Sequence, residues 1–380
     1  TATPGRSTAS VACRAARVWR RIDKGKHILG QHTSSSLTTT TSMQGCGFTE
    51  IPIVVSSVAG SASHWQTTGG SEIYDISSTK FVNYVNRVSA SPSQANSWNW
   101  HMQYLAALPS TNPTLCVGGS TKGSTSWRTH TTSSVTTTSQ ISQCGFASLE
   151  DGLSYPSEPS GTKQPVIVSA VAGSSSHWQS TGGSEVYING VSSFENYVNG
   201  VSTTPSQANG WNWHMQWMAA PITTGPHFCV GRSPIGSTNW VQHTSTSIQY
   251  QTDISHCGFK KVTPPIPSFL PAPAWVNPLL GPHLAPPTAT GRTVSRLFYL
   301  FITTHPYNLY ITLTRTPFHS GSHRRDKRGR CFKPLVDEGG SEIYDITTTK
   351  FTNYVNGVTV NPTQANGWKW HIQYMAFVPP

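Results

Sequence analysis

The sequence predicts an all-β protein made of tandem small antiparallel six-stranded β-sandwich domains, with a long irregular or disordered insertion. The first observation is a segment that begins with Gly-Gly-Ser-Glu and occurs three times, at Gly69, Gly182 and Gly339. An internal repeat of this kind indicates one structural unit used repeatedly. The second observation is that short runs of β-branched and aromatic residues alternate with Gly and Pro, and no stretch shows a convincing amphipathic helical pattern.

The strands of one unit can be followed along the repeat. The Ser/Thr/Val-rich run 130–146 favours β-structure, and the short apolar run 52–60 is typical of a buried strand. The segments 71–77 and 80–88 then alternate from one side chain to the next, as strands with two different faces do. Five or six strands in about a hundred residues are typical of a small antiparallel sandwich.

The closing strand, residues 98–107 in the first repeat, separates two sets of side chains by alternation. One set is predicted to face the core: Trp98, Trp100, Met102 and Tyr104. The other set is predicted to face away from it: Asn99, His101 and Gln103. The segment just before this strand, which begins at Pro92, Pro205 and Pro362, is predicted to be a structured turn.

The repeats divide the chain into four parts. Residues 1–26 form a basic N-terminal segment that matches no repeat. Repeat one covers 27–109 and lacks its first strand region, whereas repeat two, 113–221, is complete. Repeat three covers 226–380 and is interrupted by a non-repeat insertion at 260–338. A unit of this length suits a small domain better than a solenoid repeat, so we predict three separate domains joined by short Pro/Thr linkers.

The insertion at 260–338 is rich in Pro and Arg, and nothing in its sequence resembles the apolar run 52–60. Our favoured hypothesis is that it derives from a retained intron or a mis-joined gene model. Residues 1–26 are suspect for the same reason. A mature transcript that contains the whole segment would contradict this hypothesis.

The basic residues lie mostly outside the repeats. The formal net charge of +11 suggests a nucleic-acid partner at first sight. However, residues 1–31 contain seven Lys/Arg against one Asp, and 260–338 contain eleven against three acidic residues. A surface that binds phosphates would have to recur in each repeat, and the repeats are slightly acidic. We therefore predict no nucleic-acid partner.

Two cysteine pairs recur at one spacing. Cys116 and Cys144 are separated by 28 positions, and so are Cys229 and Cys257. In a Ser/Thr-rich chain this pattern predicts one disulfide per unit and a secreted, extracellular protein, with buried free thiols as the alternative. No apolar stretch is long enough to span a bilayer, so no membrane span is predicted.

Two of these patterns together resemble the H-type lectin domain. They are the F-x-x-x-P-I-V-V run that starts at Phe48 and the I-Y-D-I-S-S-T-K-F segment from Ile73 to Phe81, followed by an aromatic closing strand. The resemblance implies a six-stranded antiparallel sandwich, usually trimeric, that binds sugars of the N-acetylgalactosamine type. In that family an Arg holds the sugar, and the matching positions here are Thr68 and Thr181.

The candidate carbohydrate-binding residues are Trp and His side chains in polar loops. A Trp face stacks on the apolar side of a pyranose while neighbouring polar groups bond its hydroxyls. The alternative is that each indole folds back over the end of the sandwich. The candidates are His64, Trp65, His177, Trp178, Trp127 and Trp240.

Metal and catalytic sites are not predicted. Three His positions recur per unit, of which His32 represents the first and His101 the last, but they are about thirty residues apart and no C-x-x-C occurs. Glu72 persists at Glu185 and Glu342, yet one carboxylate per unit is not an acid/base pair. We therefore predict no enzyme activity and no cofactor.

The leading hypothesis is a secreted, multi-domain protein that binds glycans or glycoconjugates and functions in cell adhesion. The alternative is a structural matrix or cell-surface protein that uses the repeats for assembly. A homo-oligomer is compatible with both hypotheses.

Overall fold

The computed structural model shows an all-β fold, as predicted. All of the residues that it describes belong to one compact unit. None of the helices among them is long and apolar enough to cross a membrane. The described ranges are 29–60, 70–98, 100–122, 126–146, 164–174, 183–187, 190–201, 203–234, 238–260, 308–315 (as backbone), 341–358, 360–367 and 370–377.

Each repeat contributes two layers of strands. The hairpin layer contains the Ser/Thr-rich hairpin and the two alternating strands, and the inner layer contains the apolar strand and the closing strand. In repeat one the hairpin layer is β1 Gly30–Thr33, β2 Ser36–Ser42, β4 Gly70–Tyr74 and β5 Lys80–Asn86, and the inner layer is β3 Ile53–Gly60 and β6 His101–Ala107.

The later repeats follow the same order. Repeat two, with its linker, comprises β7 Ser110–Asn112, β8 Leu115–Gly119, β9 Arg128–Thr131, β10 Ser134–Gln140, β11 Val166–Gly173, β12 Gly183–Tyr187, β13 Ser193–Asn199 and β14 His214–Ala220. Repeat three comprises β15 Phe228–Arg232, β16 Trp240–Thr244, β17 Ser247–Asp253, β18 Asn308–Arg315, β19 Ser341–Tyr344, β20 Lys350–Asn356 and β21 Trp370–Phe377.

The sheets cross the boundaries between repeats, which differs from the expectation of separate domains. Each of the three sheets joins the hairpin layer of one repeat to the inner layer of another. The strand orders are β1-β2-β5-β4-β11-β14-β8-β7, β9-β10-β13-β12-β18-β21-β15 and β16-β17-β20-β19-β3-β6. Repeat one is thus joined to two, two to three, and three back to one, which closes a ring.

The joints between repeats are short parallel pairings in which two edge strands cover each other. Ile73 and Tyr74 of β4 pair with Ala172 and Gly173 of β11. The same pairing joins β19 to β3 and β12 to β18. Because an exposed strand edge presents unpaired backbone groups, closing each edge with another repeat satisfies those groups.

The two layers within a repeat face each other. Asn83 Nδ2 in the hairpin layer donates to Ser56 Oγ in the inner layer at 2.7 Å, and Asn196 does the same to Ser169 at 2.9 Å. One further hydrophobic cluster contains residues of all three repeats, among them Val54, Val168 and Met375. The core therefore continues from one repeat into the next.

The insertion contains a strand, which corrects the prediction that it is wholly irregular. β18 lies at residues 308–315 and pairs with β21 along its whole length, at the place that β3 and β11 take in the other repeats. The repeat pattern does not reveal this strand, because β18 has the sequence NLYITLTR where β3 has the sequence IVVSSVAG. Pairing between backbones needs no particular side chains, so an unrelated strand can complete the sheet.

Both faces of the closing strand are buried, which is the second correction. Trp100 and Met102 face a core as predicted, but Gln103, Gln216 and Gln373 on the other face are also buried. The prediction assumed that this face meets solvent. Instead it meets another repeat: Gln216 Oε1 accepts from the backbone N–H of Val54 at 2.5 Å.

The segment at Pro92, Pro205 and Pro362 forms a short α-helix rather than a turn. These helices are α1 Pro92–Ser97, α2 Pro205–Gly210 and α3 Pro362–Gly367. In α1 the Ser91 Oγ accepts from Gln94 N–H while Gln94 Oε1 accepts from Ser91 N–H, which is a capping box. Proline at the first position favours such a start.

Both predicted disulfides are present, Cys116–Cys144 and Cys229–Cys257. Each joins the first strand of its repeat, β8 or β15, to the turn that follows the Ser/Thr-rich hairpin. Cys46 occupies the place of Cys144 in repeat one and belongs to neither bond. Disulfides are consistent with an oxidising, extracellular compartment.

A line of hydrogen bonds connects repeat one to repeat two through a buried histidine. Gln216 accepts from Val54 and lies 3.4 Å, Nε2 to Nε2, from the ring of His214. His214 Nδ1 lies 2.9 Å from the carbonyl oxygen of Asn212. In a neutral ring, Nδ1 donates to this carbonyl and Nε2 accepts from the amide of Gln216. The pKa of His214 is lowered to about 4. Burial is the largest cause, and the positive charge of Lys122 acts in the same direction.

Stability is expected to fall as the pH decreases from about 6.5 to about 4. In the unfolded chain His214 is protonated near pH 6.5, whereas in the folded chain it is protonated only near pH 4. The contribution of the neutral His214 to stability is therefore fully present above pH 6.5 and is lost as the pH falls toward 4. The share of His214 is roughly 3 kcal/mol, at about 1.4 kcal/mol per pKa unit. Urea unfolding at several pH values measures it.

The matched variants are His214→Gln and His227→Gln. Glutamine at 214 can still accept from Gln216 and does not titrate, so the pH dependence should become shallower. His227 is exposed, so its replacement is the control for removing an imidazole that the core does not enclose. Equal slopes in all three proteins would contradict the assigned role of His214.

Candidate functional site

The outer face of the hairpin layer carries a group of polar and aromatic side chains that recurs in every repeat. Residues directly opposite on paired strands share a face, and Glu72 lies opposite Tyr84 in β4 and β5. We call this group the joint face. Its described members are His32, Glu72, Tyr74, Tyr84 and Asn86 in repeat one, His130, Glu185, Tyr197 and Asn199 in repeat two, and His243, Glu342, Tyr344, Tyr354 and Asn356 in repeat three.

Aromatic rings form a ladder from the surface into the joint. The exposed ring of His32 meets Tyr84 edge to face with centroids 4.5 Å apart, and Tyr84 meets Tyr74 at 5.2 Å. In repeat three the corresponding distances are 4.7 Å and 5.2 Å. His130 and Tyr197 of repeat two lie 4.4 Å apart. Edge-to-face contacts of this kind fix the orientation of the rings.

The ladder continues into the neighbouring repeat through a glycine. A methyl group at Gly173 would lie 3.0 Å from the indole of Trp213 and 3.2 Å from the ring of Tyr74. The same arrangement brings Tyr344 against Gly60 and Trp100. The absence of a side chain at these glycines lets the tyrosine of one repeat reach the indole of the next. The joint faces of repeats one and three are therefore each completed by a second repeat.

A buried carboxylate lies beneath the ladder. Tyr74 Oη donates to Glu72 Oε2 at 2.9 Å, and Tyr344 Oη donates to Glu342 Oε2 at 2.7 Å. Glu72 and Glu342 are 1% and 0% exposed, respectively. A buried carboxylate is costly unless it is hydrogen bonded, so these tyrosines stabilise it in place.

Two asparagine side chains at this face are buried without hydrogen-bond partners among the described residues. Asn86 and Asn356 are completely buried at the ends of β5 and β20. Within the described part of the chain, neither the amide nitrogen nor the amide oxygen of either side chain has a hydrogen-bond partner. Burial of an amide without partners destabilises the fold, and such groups often mark a place where water or a ligand binds.

The titration of the joint face is governed by burial. Desolvation lowers the pKa values of His32 and His243, so these rings are neutral at neutral pH. Burial, then the carboxylates of Asp345 and Glu342, raise the pKa of Tyr354. At neutral pH the imidazoles of repeats one and three are therefore neutral, and the phenol of Tyr354 is protonated.

Repeat two carries a variation on this pattern. Burial and a 2.9 Å hydrogen bond to Glu195 raise the pKa of Tyr197 to about 12. Glu195 also lies 3.5 Å from Arg128, which donates to Thr138 as well. The corresponding positions are Gly30 and Val82 in repeat one, so this ion pair distinguishes the second joint face.

Two of the predicted carbohydrate-binding tryptophans are buried. Trp127 and Trp240 are each 3% exposed. Their indole N–H groups donate to the backbone carbonyls of Trp213 and Trp370 at 2.8 Å and 3.3 Å. This burial favours the alternative that these indoles close the end of the sandwich, since no ring face is open to a ligand.

The other predicted residues, His64, Trp65, His177 and Trp178, lie outside the described residues. Their segments follow β3 and β11, each of which ends at the glycine of a joint. The sequence reveals nothing else that connects them to the joint face.

A group of possible metal ligands lies at the disulfide of repeat three. His256 Nε2 lies 3.9 Å from Cys229 Sγ, 3.7 Å from Cys257 Sγ and 3.1 Å from Tyr374 Oη. The two sulfurs are bonded to each other, so neither is a thiolate while the disulfide is intact. The recurring histidines His32, His101 and their counterparts are not among this group.

Sequence reasoning identified the components of the joint face but not their association. The recurrence of His32 and Glu72 is visible in the sequence, and alternation along residues 80–88 puts Tyr84 and Asn86 on one face of a strand. The signal that was available is the retention of all four residue types in all three repeats. The sequence does not show that β4 pairs with β11, and this pairing decides what covers the joint face.

Compared with known proteins, the chain matches no family model, no curated protein and no solved structure.

Replacing Asn86 by leucine is expected to stabilise the protein by about 1–3 kcal/mol, because a buried amide without partners is removed. Urea unfolding measures the change. The control on the same strand is Asn83→Leu. Asn83 donates to Ser56 Oγ and to the Glu72 carbonyl, so its replacement should destabilise the protein.

An Asn86→Leu protein that loses as much stability as Asn83→Leu would contradict this expectation. It would mean that a bound group satisfies the amide of Asn86. Asn356→Leu provides the same comparison in repeat three.

Proposed function

We propose that the chain is a secreted, non-enzymatic carbohydrate-binding protein with one glycan-binding surface at each joint face. The observation that carries this proposal recurs in all three repeats: an exposed histidine ring meets a tyrosine edge to face, and a buried glutamate lies opposite that tyrosine on the paired strand. Sugars require apolar ring contact together with hydrogen bonds to several hydroxyls. The exposed imidazoles of His32, His130 and His243 offer both a ring and ring nitrogens, while the buried groups beneath them hold these rings in place.

The arrangement of the repeats supports a multivalent mode of binding. The resemblance to H-type lectin domains implies a trimer, and the three repeats of this chain are joined in a ring within one molecule. Individual protein–sugar contacts are weak, so several linked surfaces would increase the avidity for clustered glycans. The two disulfides fit the secreted setting that such a role requires.

The second candidate is a structural protein of the matrix or cell surface. The burial of Trp127 and Trp240 favours it, because these indoles serve the core rather than a ligand. In this case the joint faces would only hold the repeats together.

A glycan array with the full chain is expected to show binding to clustered glycans. Replacing His32, His130 and His243 together by alanine removes the outermost ring of each ladder, and we expect binding to fall about tenfold or more. His227→Ala, at an exposed site outside the joint faces, should bind as the unmodified chain does.

Binding to no glycan at all would exclude the carbohydrate-binding proposal and leave the structural candidate. Loss of binding in a Trp65→Ala/Trp178→Ala chain, with full binding by the triple histidine variant, would move the site from the joint faces to the loops that carry those tryptophans.

A further inference from the structure

One position in the ring is filled by a strand that does not match its surroundings. β18 lies between β21, with which it pairs from Asn308 to Arg315, and β12, which it touches in parallel at Thr314 and Arg315. Repeats one and two fill the equivalent position with β3 and β11, whose sequences are IVVSSVAG and VIVSAVAG. We call the position between β21 and β12 the third slot.

The repeat strands fit their slots at two positions. The eighth residue is Gly60 or Gly173, where any Cβ would lie within 2.9–3.2 Å of an indole and a tyrosine ring. The fourth residue is Ser56 or Ser169, whose hydroxyl accepts from Asn83 or Asn196 of the facing layer. These contacts select glycine and serine at fixed places along the strand.

β18 departs from the pattern at both positions. The register places Arg315 at the glycine position and Ile311 at the serine position. Asn353, the counterpart of Asn83, donates to Ser341 Oγ of its own layer at 2.9 Å instead of to a serine of the facing strand. Its second bond, to the Glu342 carbonyl at 3.1 Å, is the one that Asn83 makes to the Glu72 carbonyl. Trp370, the counterpart of Trp100 and Trp213, is nevertheless completely buried. The slot therefore retains a buried indole and an asparagine at the places where the other two slots have them, around a strand of another kind.

The connections of β18 are also much longer than those of β3. Residues 47–52 and 61–69 connect β3 to its neighbours along the chain, whereas residues 258–307 and 316–340 connect β18. A longer connection lowers the effective concentration at which a segment is held near its site. β18 is thus held in its slot with a smaller intramolecular advantage than the repeat strands have.

We propose that the third slot is a strand-exchange site, which binds an extended peptide of the repeat-strand type in place of β18. The ligand is an apolar strand with serine at its fourth position and glycine at its eighth, as in Val166–Gly173. It pairs antiparallel with β21 and parallel with β12, so backbone hydrogen bonds supply affinity while serine and glycine supply selectivity. This inference does not depend on the proposed function.

The test uses a labelled peptide with the sequence Pro165–Gly173, extended by lysines for solubility, and the full chain. Fluorescence anisotropy after long incubation should show saturable binding. A control peptide carries isoleucine in place of serine and arginine in place of glycine at the two selective positions, as β18 does. Its affinity should be lower by about tenfold or more. Equal binding of the two peptides, or no binding of either, would overturn the proposal.

Two further measurements locate the peptide. Hydrogen exchange of the complex should show loss of protection in residues 308–315 while residues 370–377 stay protected. A chain with Ile311→Ser and Arg315→Gly should hold its own strand more firmly and bind the peptide more weakly than the unmodified chain. Binding that leaves residues 308–315 protected, or that is unaffected by the double substitution, would rule out the third slot.

Discussion

The short parallel pairing between the hairpin layer of one repeat and the inner layer of another is the interaction on which the rest of the structure depends. It involves two residue pairs per joint, yet it closes the edges of both layers. It is possible in two of the joints because glycine at 60 and 173 leaves room for a tyrosine and an indole to meet. Without this contact each sandwich would have an open edge, and open edges invite uncontrolled pairing.

Burial of polar side chains follows from the same constraint. Once the layers of different repeats form one sheet, the faces that would meet water in an isolated domain meet protein instead. Gln216, His214 and Glu72 are buried for this reason, and each has a hydrogen-bond partner from its own or an adjoining repeat. The joint faces are therefore both the structural connections of the ring and places where polar side chains are buried.

The sequence was sufficient for the strands, the all-β class and both disulfides, because these depend on local pattern and on cysteine spacing. It was insufficient for whatever depends on another repeat. Alternation correctly placed Trp100 toward a core but left Gln103 to solvent, since periodicity within one strand contains no information about what covers its second face. β18 escaped notice because its role is defined by backbone pairing with β21 rather than by its residues. The joint face could have been suspected from the recurrence of His32, Glu72, Tyr84 and Asn86, but only the pairing of β4 with β11 shows why they lie together.

The closure of the ring within a single polypeptide has a consequence for how the molecule behaves on dilution. A ring assembled from separate subunits dissociates when its concentration falls below its dissociation constant, and its stoichiometry then changes. Here the three joints are connected by peptide bonds, so the number of joint faces per particle is fixed at any concentration. Dilution would thereby leave the three joints of each molecule together.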